Sequence, residues 1–242
     1  MELVAPYAER ALWVSLPEIG GDPDPEIGRR AALRGVRDAV RTVHSTGTVP
    51  VLLGGDSYLL GLGMLAGLQQ SGESPGIAWF DADIPLGPDD VLGIAIEPAG
   101  NPLAVTLGLR EPVQPWHVLL AGVRDASSKL AEMEDSAMTV WDAEDLNEGG
   151  AVEVGRDMAN WPPLLLQIDL AVLDPAIMPA VRHPAPEGLS LTTLTTSLEG
   201  VMAGGRVIAV GVSNYLPERD EDKLGMATSI QVVQEAVRIL TI

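Results

Sequence analysis

The chain has 242 residues, 46% of them hydrophobic, enough for one sizeable core and better suited to a single α/β domain over 1–242 than to two small ones. Its 34 acidic against 15 basic residues give a formal charge of −19, which repels phosphate backbones and anionic lipid heads and excludes nucleic acid and membrane surfaces as expected partners. No cysteine occurs, so disulfides, thiolate metal sites and cysteine nucleophiles are excluded as well.

The first stretch, MELVAPYAERALW, has no basic region followed by an apolar one, and no apolar run approaches the ~18 residues that span a bilayer, so a cytoplasmic protein is expected. Short runs rich in Val, Ile and Leu then alternate with longer amphipathic stretches, the pattern of βα units around a buried parallel sheet. Strands are predicted at 11–17, 49–55, 76–81, 116–123, 163–170 and 206–213, with a weaker seventh at 138–146. Between them, 25–45 places Ala, Leu, Val and Ile on one helical face with arginines opposite, and 221–240 reads as a final helix. Gly and Pro clusters such as PLGPDD and HPAPEG mark loops. His44 falls near the end of the first helix, where an imidazole needs no function, and His117 opens a strand and reads as a surface residue. PERDEDK at 217–223 reads as a solvated loop with a helix start.

Four predicted strands end in polar residues: GGDS at 54–57, DAD at 81–83, QIDLAVLDPAIMP at 167–179 and GVSNYLP at 211–217. Carboxylates at the C-terminal tips of strands are where open α/β sheets place their chemistry. Each motif alone has a plain structural reading, since Gly-Asp pairs build turns and an Asp after a strand caps the next helix.

Taken in order and spacing, the four motifs resemble those of the ureohydrolases, the arginase, agmatinase and formiminoglutamase family. That family carries GGDH, then DAHxD, then SxDxDxxDP followed by a Pro- and Gly-rich loop leading to Gly-Leu, then a Glu shortly before an Asn-Pro. Pro179, Pro184, Gly188 and Leu189 fall in register with the third motif. AGNPLAVTLGL (99–109) and VLLAGVRDAS (118–127) are weaker likenesses to two further segments. The resemblance implies a three-layer α/β/α sandwich with a mainly parallel sheet. It also implies two manganese ions sharing a hydroxide that attacks a guanidinium or amidine carbon, a paired site whose ions sit ~3.5–4 Å apart.

Carried over one residue at a time, the family's six metal ligands fall on Ser57, Asp81, Asp83, Pro85, Asp169 and Ala171, so only Asp81 and Asp169 stand as the family has them. Proline and alanine offer no ligand atom, and a serine hydroxyl is a weak neutral donor. The family's further histidine is Ala99, and the glutamate that grips the substrate's guanidinium is Asn214. Asp56 and Asp174 match aspartates that are mainly structural. Arg182 and His183 replace the small Gly and Thr of the family's loop; on their own they read as a solvated loop pair, while the charge of three converging carboxylates sets the further expectation that Arg182 or His183, the guanidinium better than the imidazole, reaches Asp81, Asp83 and Asp169 and neutralises them.

The resulting expectation is a ureohydrolase-like protein that has lost its binuclear site and amidino-hydrolase activity, and that acts as a non-catalytic binding or assembly protein without a cofactor. The alternative is a divergent hydrolase of a C–N bond using a single divalent cation (Mg, Ca or Mn) held by Asp81, Asp83 and Asp169. A homo-oligomer, trimer or hexamer, is expected from the resemblance and from only 20% charged residues, and the pocket is left open to a small-molecule ligand.

Overall fold

The computed structural model describes residues 25–124 and 136–241, so the strand expected at 11–17 lies outside the described residues. The first described element is α1 (Pro25–His44), followed by β1 (Val51–Gly54), α2 (Ser57–Gln70) and β2 (Gly76–Phe80). Two short helices, α3 (Val91–Ile96) and α4 (Pro102–Leu107), precede β3 (Val118–Val123) and β4 (Thr139–Asp142). The chain continues through α5 (Ala143–Asn147), β5 (Leu164–Asp169), α6 (Leu191–Gly204), β6 (Val207–Ser213) and α7 (Leu224–Leu240).

The six strands form one sheet in the order β1-β6-β5-β2-β3-β4, and every neighbouring pair is parallel. Both faces are covered, which is why the strands read as continuous apolar runs rather than alternating ones. Ala78 and Phe80 of β2 join Leu166 and Ile168 of β5 in the core shared with α6 and α7. Ile77 and Trp79 point the other way, into the core shared with α1 and α2. The result is the expected three-layer α/β/α sandwich.

Helix α2 is apolar nearly all round, with Leu60 through Leu68 buried, because it is enclosed between the sheet and α1. Its glycines permit that approach: a Cβ on Gly63 would meet the Val36 side chain of α1 at 2.6 Å. The outer helix α1 is amphipathic, burying Leu33, Val36 and Val40 and exposing Arg30, Arg34 and Arg41. Asp56 caps α2 by accepting the Leu59 N–H at 3.0 Å, and Ser190 caps α6 by accepting that of Thr193 at 3.0 Å. Among the described residues no helix is long and apolar enough to cross a membrane.

Several local expectations are corrected. The run expected to start a strand at 116 begins with a 3-10 turn over Pro115–His117, because proline lacks the N–H a central strand needs. His117 is half-buried rather than a surface residue, with its ring centroid 6.0 Å from that of Trp116 and 5.7 Å from that of Trp161. The weak strand at 138–146 splits at Asp142, which accepts the Asp145 N–H at 2.7 Å and so starts α5. Within 217–223, Asp220 is buried rather than solvated; it accepts N–H groups of Gly225 at 2.9 Å and Met226 at 2.7 Å and the Tyr215 hydroxyl at 2.9 Å, fixing the start of α7.

Candidate functional site

From β2 the chain moves outward to β3 and β4, whereas β5 continues on its other side to β6, so the order reverses between the adjacent strands β2 and β5. A crevice opens at the C-terminal ends of such a pair. Asp81 directly follows β2 and Asp169 ends β5, while Asp56 and Ser57 follow β1 and Asn214 follows β6. A cavity of about 410 Å³ lies there, and Asp56, Ser57, Asp81, Asp83, Asp169, Ala171, Arg182, His183 and Asn214 all line it. Pro85 lines it too.

The two strand-tip carboxylates are 8% and 3% exposed, and each is tied to protein donors. Asp81 accepts the indole N–H of Trp79 at 3.1 Å on one oxygen and the backbone N–H of Asp83 at 3.2 Å on the other. Asp169 accepts the Asn214 amide at 2.7 Å and the Ala171 N–H at 2.8 Å on its Oδ1. Asn214 sits in the left-handed region at φ 74°, which asparagine tolerates, and its carbonyl oxygen also accepts the Arg182 N–H at 3.0 Å. One side chain thus joins the end of β6, the end of β5 and the loop that follows it.

Burial pushes the Asp81 carboxyl well above the usual carboxylate range, and the neighbouring Asp169 charge pushes it further. Burial also raises Asp169, against the lowering pull of Asn214, the Ala171 N–H and Ser57. The two carboxyls titrate as a coupled pair, and burial shifts both toward the protonated form.

The expected neutralisation by Arg182 is not what the structure has. Arg182 and His183 are exposed on the rim, and among the described residues neither makes an ion pair with a carboxylate. The Arg182 backbone is bound to Asn214, while protein N–H groups already engage both Asp81 oxygens and Oδ1 of Asp169. The cation in the field of Asp81, Asp174 and Asp83 is Arg124, at the end of β3. Its guanidinium donates to the carbonyls of Val172 at 2.8 Å, Gly122 at 3.2 Å, Ala185 at 3.3 Å and, also, Ala171. Burial lowers its pKa and those three carboxylates raise it; a guanidinium stays charged throughout.

Asp174 is structural in the manner expected, accepting N–H groups of Ala176 at 2.8 Å and Gly188 at 3.2 Å. Gly188 must be glycine, since a Cβ there would meet the Asp174 nitrogen at 2.4 Å. His44 closes α1 and pairs with Glu73 at 3.1 Å. Asp83 is exposed, and among the described residues no group of three or more His, Cys, Asp or Glu side chains is placed to hold a metal ion. Trp79, Tyr58 and Asp90 also line the cavity and escaped the sequence reading. Trp79 could have been found from the alternation of β2, which puts it on the face of Asp81; nothing in the local sequence marks the other two.

The family model described as Arginase family matches residues 17–239. The chain is 27% identical over 208 residues to an arginase of Bacillus caldovelox, covering 76% of this chain and 67% of that protein. It is 30% identical over 212 residues to a formimidoylglutamase of Klebsiella aerogenes, covering 84% and 93%. Against the curated arginases the matched stretch spans between 53% and 68% of their own length. A crystal structure of an arginase from Bacillus subtilis superimposes with a TM-score of 0.82 at 20% identity, covering 98% of this chain and 88% of that one. With the parallel sheet, the switch-point cavity and the match over 17–239 together, the chain belongs to the arginase family.

Proposed function

We propose that this chain is a non-catalytic ureohydrolase-fold protein, a binding or assembly protein that works in the cytoplasm without the paired manganese ions. The observation that carries the reading is the donor set. Pro85 and Ala171 stand at two of six ligand positions with no ligand atom, and the two buried carboxylates are engaged by Trp79, Asp83, Ala171 and Asn214. A binuclear manganese centre does not fit these residues, because hard cations need several oxygen or nitrogen donors pointing at one place. Asn214, where the family has a glutamate for the guanidinium, spends its amide on Asp169.

The test is urea release from arginine, agmatine or guanidinobutyrate with Mn²⁺ in excess, alongside metal analysis of the purified protein. The expected rate equals that of Asp81→Ala, with less than one bound metal per chain. Steady urea release that disappears in Asp81→Ala refutes the reading.

A further inference from the structure

We propose that the protein carries a second binding site, a cleft at the C-terminal ends of α1, α2 and α4 that takes a phosphate dianion, free or as a small phosphate monoester, on Arg41 and Arg110. The cleft shares no lining residue with the strand-tip cavity, and the proposal stands independently of the function proposed above.

The cleft has a volume of about 460 Å³, within the roughly 300–1,000 Å³ of small-molecule sites, and is lined by Arg41, Gln69, Gln70, Gly108, Arg110 and Glu111. Side chains from the last turn of α2 fix its frame. Gln69 accepts the backbone N–H groups of Arg110 at 3.1 Å and Glu111 at 3.4 Å, and donates to the Glu111 carbonyl at 2.7 Å. Gln70 donates to the Leu107 carbonyl at 2.8 Å. That approach depends on Gly108, which sits at φ 76° and where a Cβ would meet the Gln70 amide nitrogen at 2.9 Å. The backbone that carries Arg110 is thus tied to α2 on both sides of Leu109.

The cations of this cleft lack close counter-charges. Arg41 reaches Asp38 only at 3.9 Å, and Asp38 is already held by the Arg37 guanidinium at 3.0 and 3.2 Å. Arg110 makes no side-chain hydrogen bond or ion pair among the described residues. The acids nearby are otherwise engaged: Glu111 accepts the Ser74 hydroxyl, and Glu73 pairs with His44 at 3.1 Å and Arg206 at 3.9 Å. A basic residue in the last turn of a helix has a plain role beside the C-terminal dipole, which serves for Arg41; Arg110 lies past the left-handed cap of α4 and has no such role. A chain of net charge −19 repels anions as a whole, so two unengaged guanidinium groups on one cleft are a local exception.

The number of donors selects the ligand. A monocarboxylate has two oxygens and is saturated by one guanidinium fork, whereas a phosphate dianion has oxygens for two forks and two charges to match them. The Oε1 of Gln70 accepts no hydrogen bond among the described residues, and offers itself to a hydroxyl on the organic part of an ester.

The experiment is isothermal titration calorimetry on the full chain at constant ionic strength, with inorganic phosphate and glycerol phosphate as probes and sodium chloride as the blank, alongside thermal melts with and without each probe. Saturable binding of one equivalent per chain is expected, with a melting temperature that rises as the site fills. Arg41→Gln and Arg110→Gln should each weaken binding about tenfold or more, and the double variant should abolish it. Arg110→Lys, which keeps the charge without the fork, should fall between wild type and Arg110→Gln. Both arginines are exposed, so the variants should melt with wild type when no probe is present. Tighter binding of glycerol phosphate assigns the cleft to monoesters and equal binding to the free ion, and either upholds the dianion site. Neither saturable heat nor a raised melting temperature at up to about 10 mM of both probes overturns the proposal. Binding that survives both substitutions overturns it too, as does binding lost instead in Arg182→Gln, at the rim of the other cavity.

Discussion

Replacing Asn214 by aspartate tests how the cavity tolerates charge. Asn214 donates to Asp169 at 2.7 Å and accepts from the Arg182 N–H at 3.0 Å, so Asn214→Asp keeps the shape and the acceptor but turns the donor into a second carboxylate. Two unit charges at about 2.7 Å repel by ~6 kcal/mol at an effective dielectric constant of ~20. Placing a proton on a carboxyl of ordinary pKa near ~4 costs ~4 kcal/mol at pH 7. Proton uptake is the cheaper outcome, and the new O–H then replaces the amide N–H on Asp169. The folded variant holds one proton more than its unfolded chain, so its stability falls as pH rises, by ~1.4 kcal/mol per unit. The expected penalty is ~4 kcal/mol at pH 7 and ~1.4 kcal/mol at pH 5. Urea denaturation of wild type, Asn214→Asp and Asn214→Ala at pH 5, 6, 7 and 8 measures it. Asn214→Ala should lose about 1.5–3 kcal/mol, the worth of a hydrogen bond to a charged group, with a shallower slope. A penalty for Asn214→Asp that is the same at pH 5 and pH 7, or under ~1 kcal/mol at pH 7, refutes the reasoning.

Three further outcomes are expected. Arg124→Met should destabilise the fold by about 3–5 kcal/mol, because it strips a charged donor from the carbonyls of Gly122, Ala171, Val172 and Ala185 and a cation from the field of Asp81; denaturation midpoints that match wild type would contradict this. Asp81→Asn should gain stability at pH 8 relative to pH 5, about 1.4 kcal/mol for each pH unit between 5 and the folded pKa, since the raised carboxyl costs stability progressively from its unfolded pKa up to its folded one; thermal melts showing an equal change at both pH values would rule it out. Gly63→Leu should cost about 1–3 kcal/mol by forcing α1 off α2, and a melting temperature within a degree of wild type would show that the two helices are not held so close.

Much of this architecture is readable in the chain, and the reasons are local. β2, β5 and β6 are buried on both faces, so they spell unbroken apolar runs, and their polar last residues mark where the sheet stops. The positions of Asp81, Asp169 and Asn214 follow from that alone. What the sequence hides is long-range. Arg124 lies 47 and 61 residues from the carbonyls of Ala171 and Ala185 that it holds, and no periodicity links them. The expectation for Arg182 failed because it placed a cation by loop proximity and neglected the N–H groups competing for the same oxygens.

Those N–H groups also give DAD and QIDLAVLDP a role in the fold that needs no metal ion. Asp169 is the last residue of β5, and its Oδ1 receives the Ala171 N–H, which shapes the turn over Leu170–Val172. Asp81 orders the turn after β2 in the same way, through the Asp83 N–H, and gives the buried Trp79 indole its acceptor. Replacing either by an apolar residue would leave those donors unpaired in the interior, at about 1–3 kcal/mol for each. Pro85 and Ala171 carry no such obligation, since neither side chain holds a hydrogen-bonding atom. A carboxylate at 81 or 169 is therefore demanded by the ends of β2 and β5, whatever occupies the cavity, and its presence is no argument for hydrolysis. Catalysis would have to be argued from other positions: Ser57, Asp83, Pro85 and Ala171, whose side chains carry no such demand from the strand ends, and Asn214, whose amide is held by Asp169.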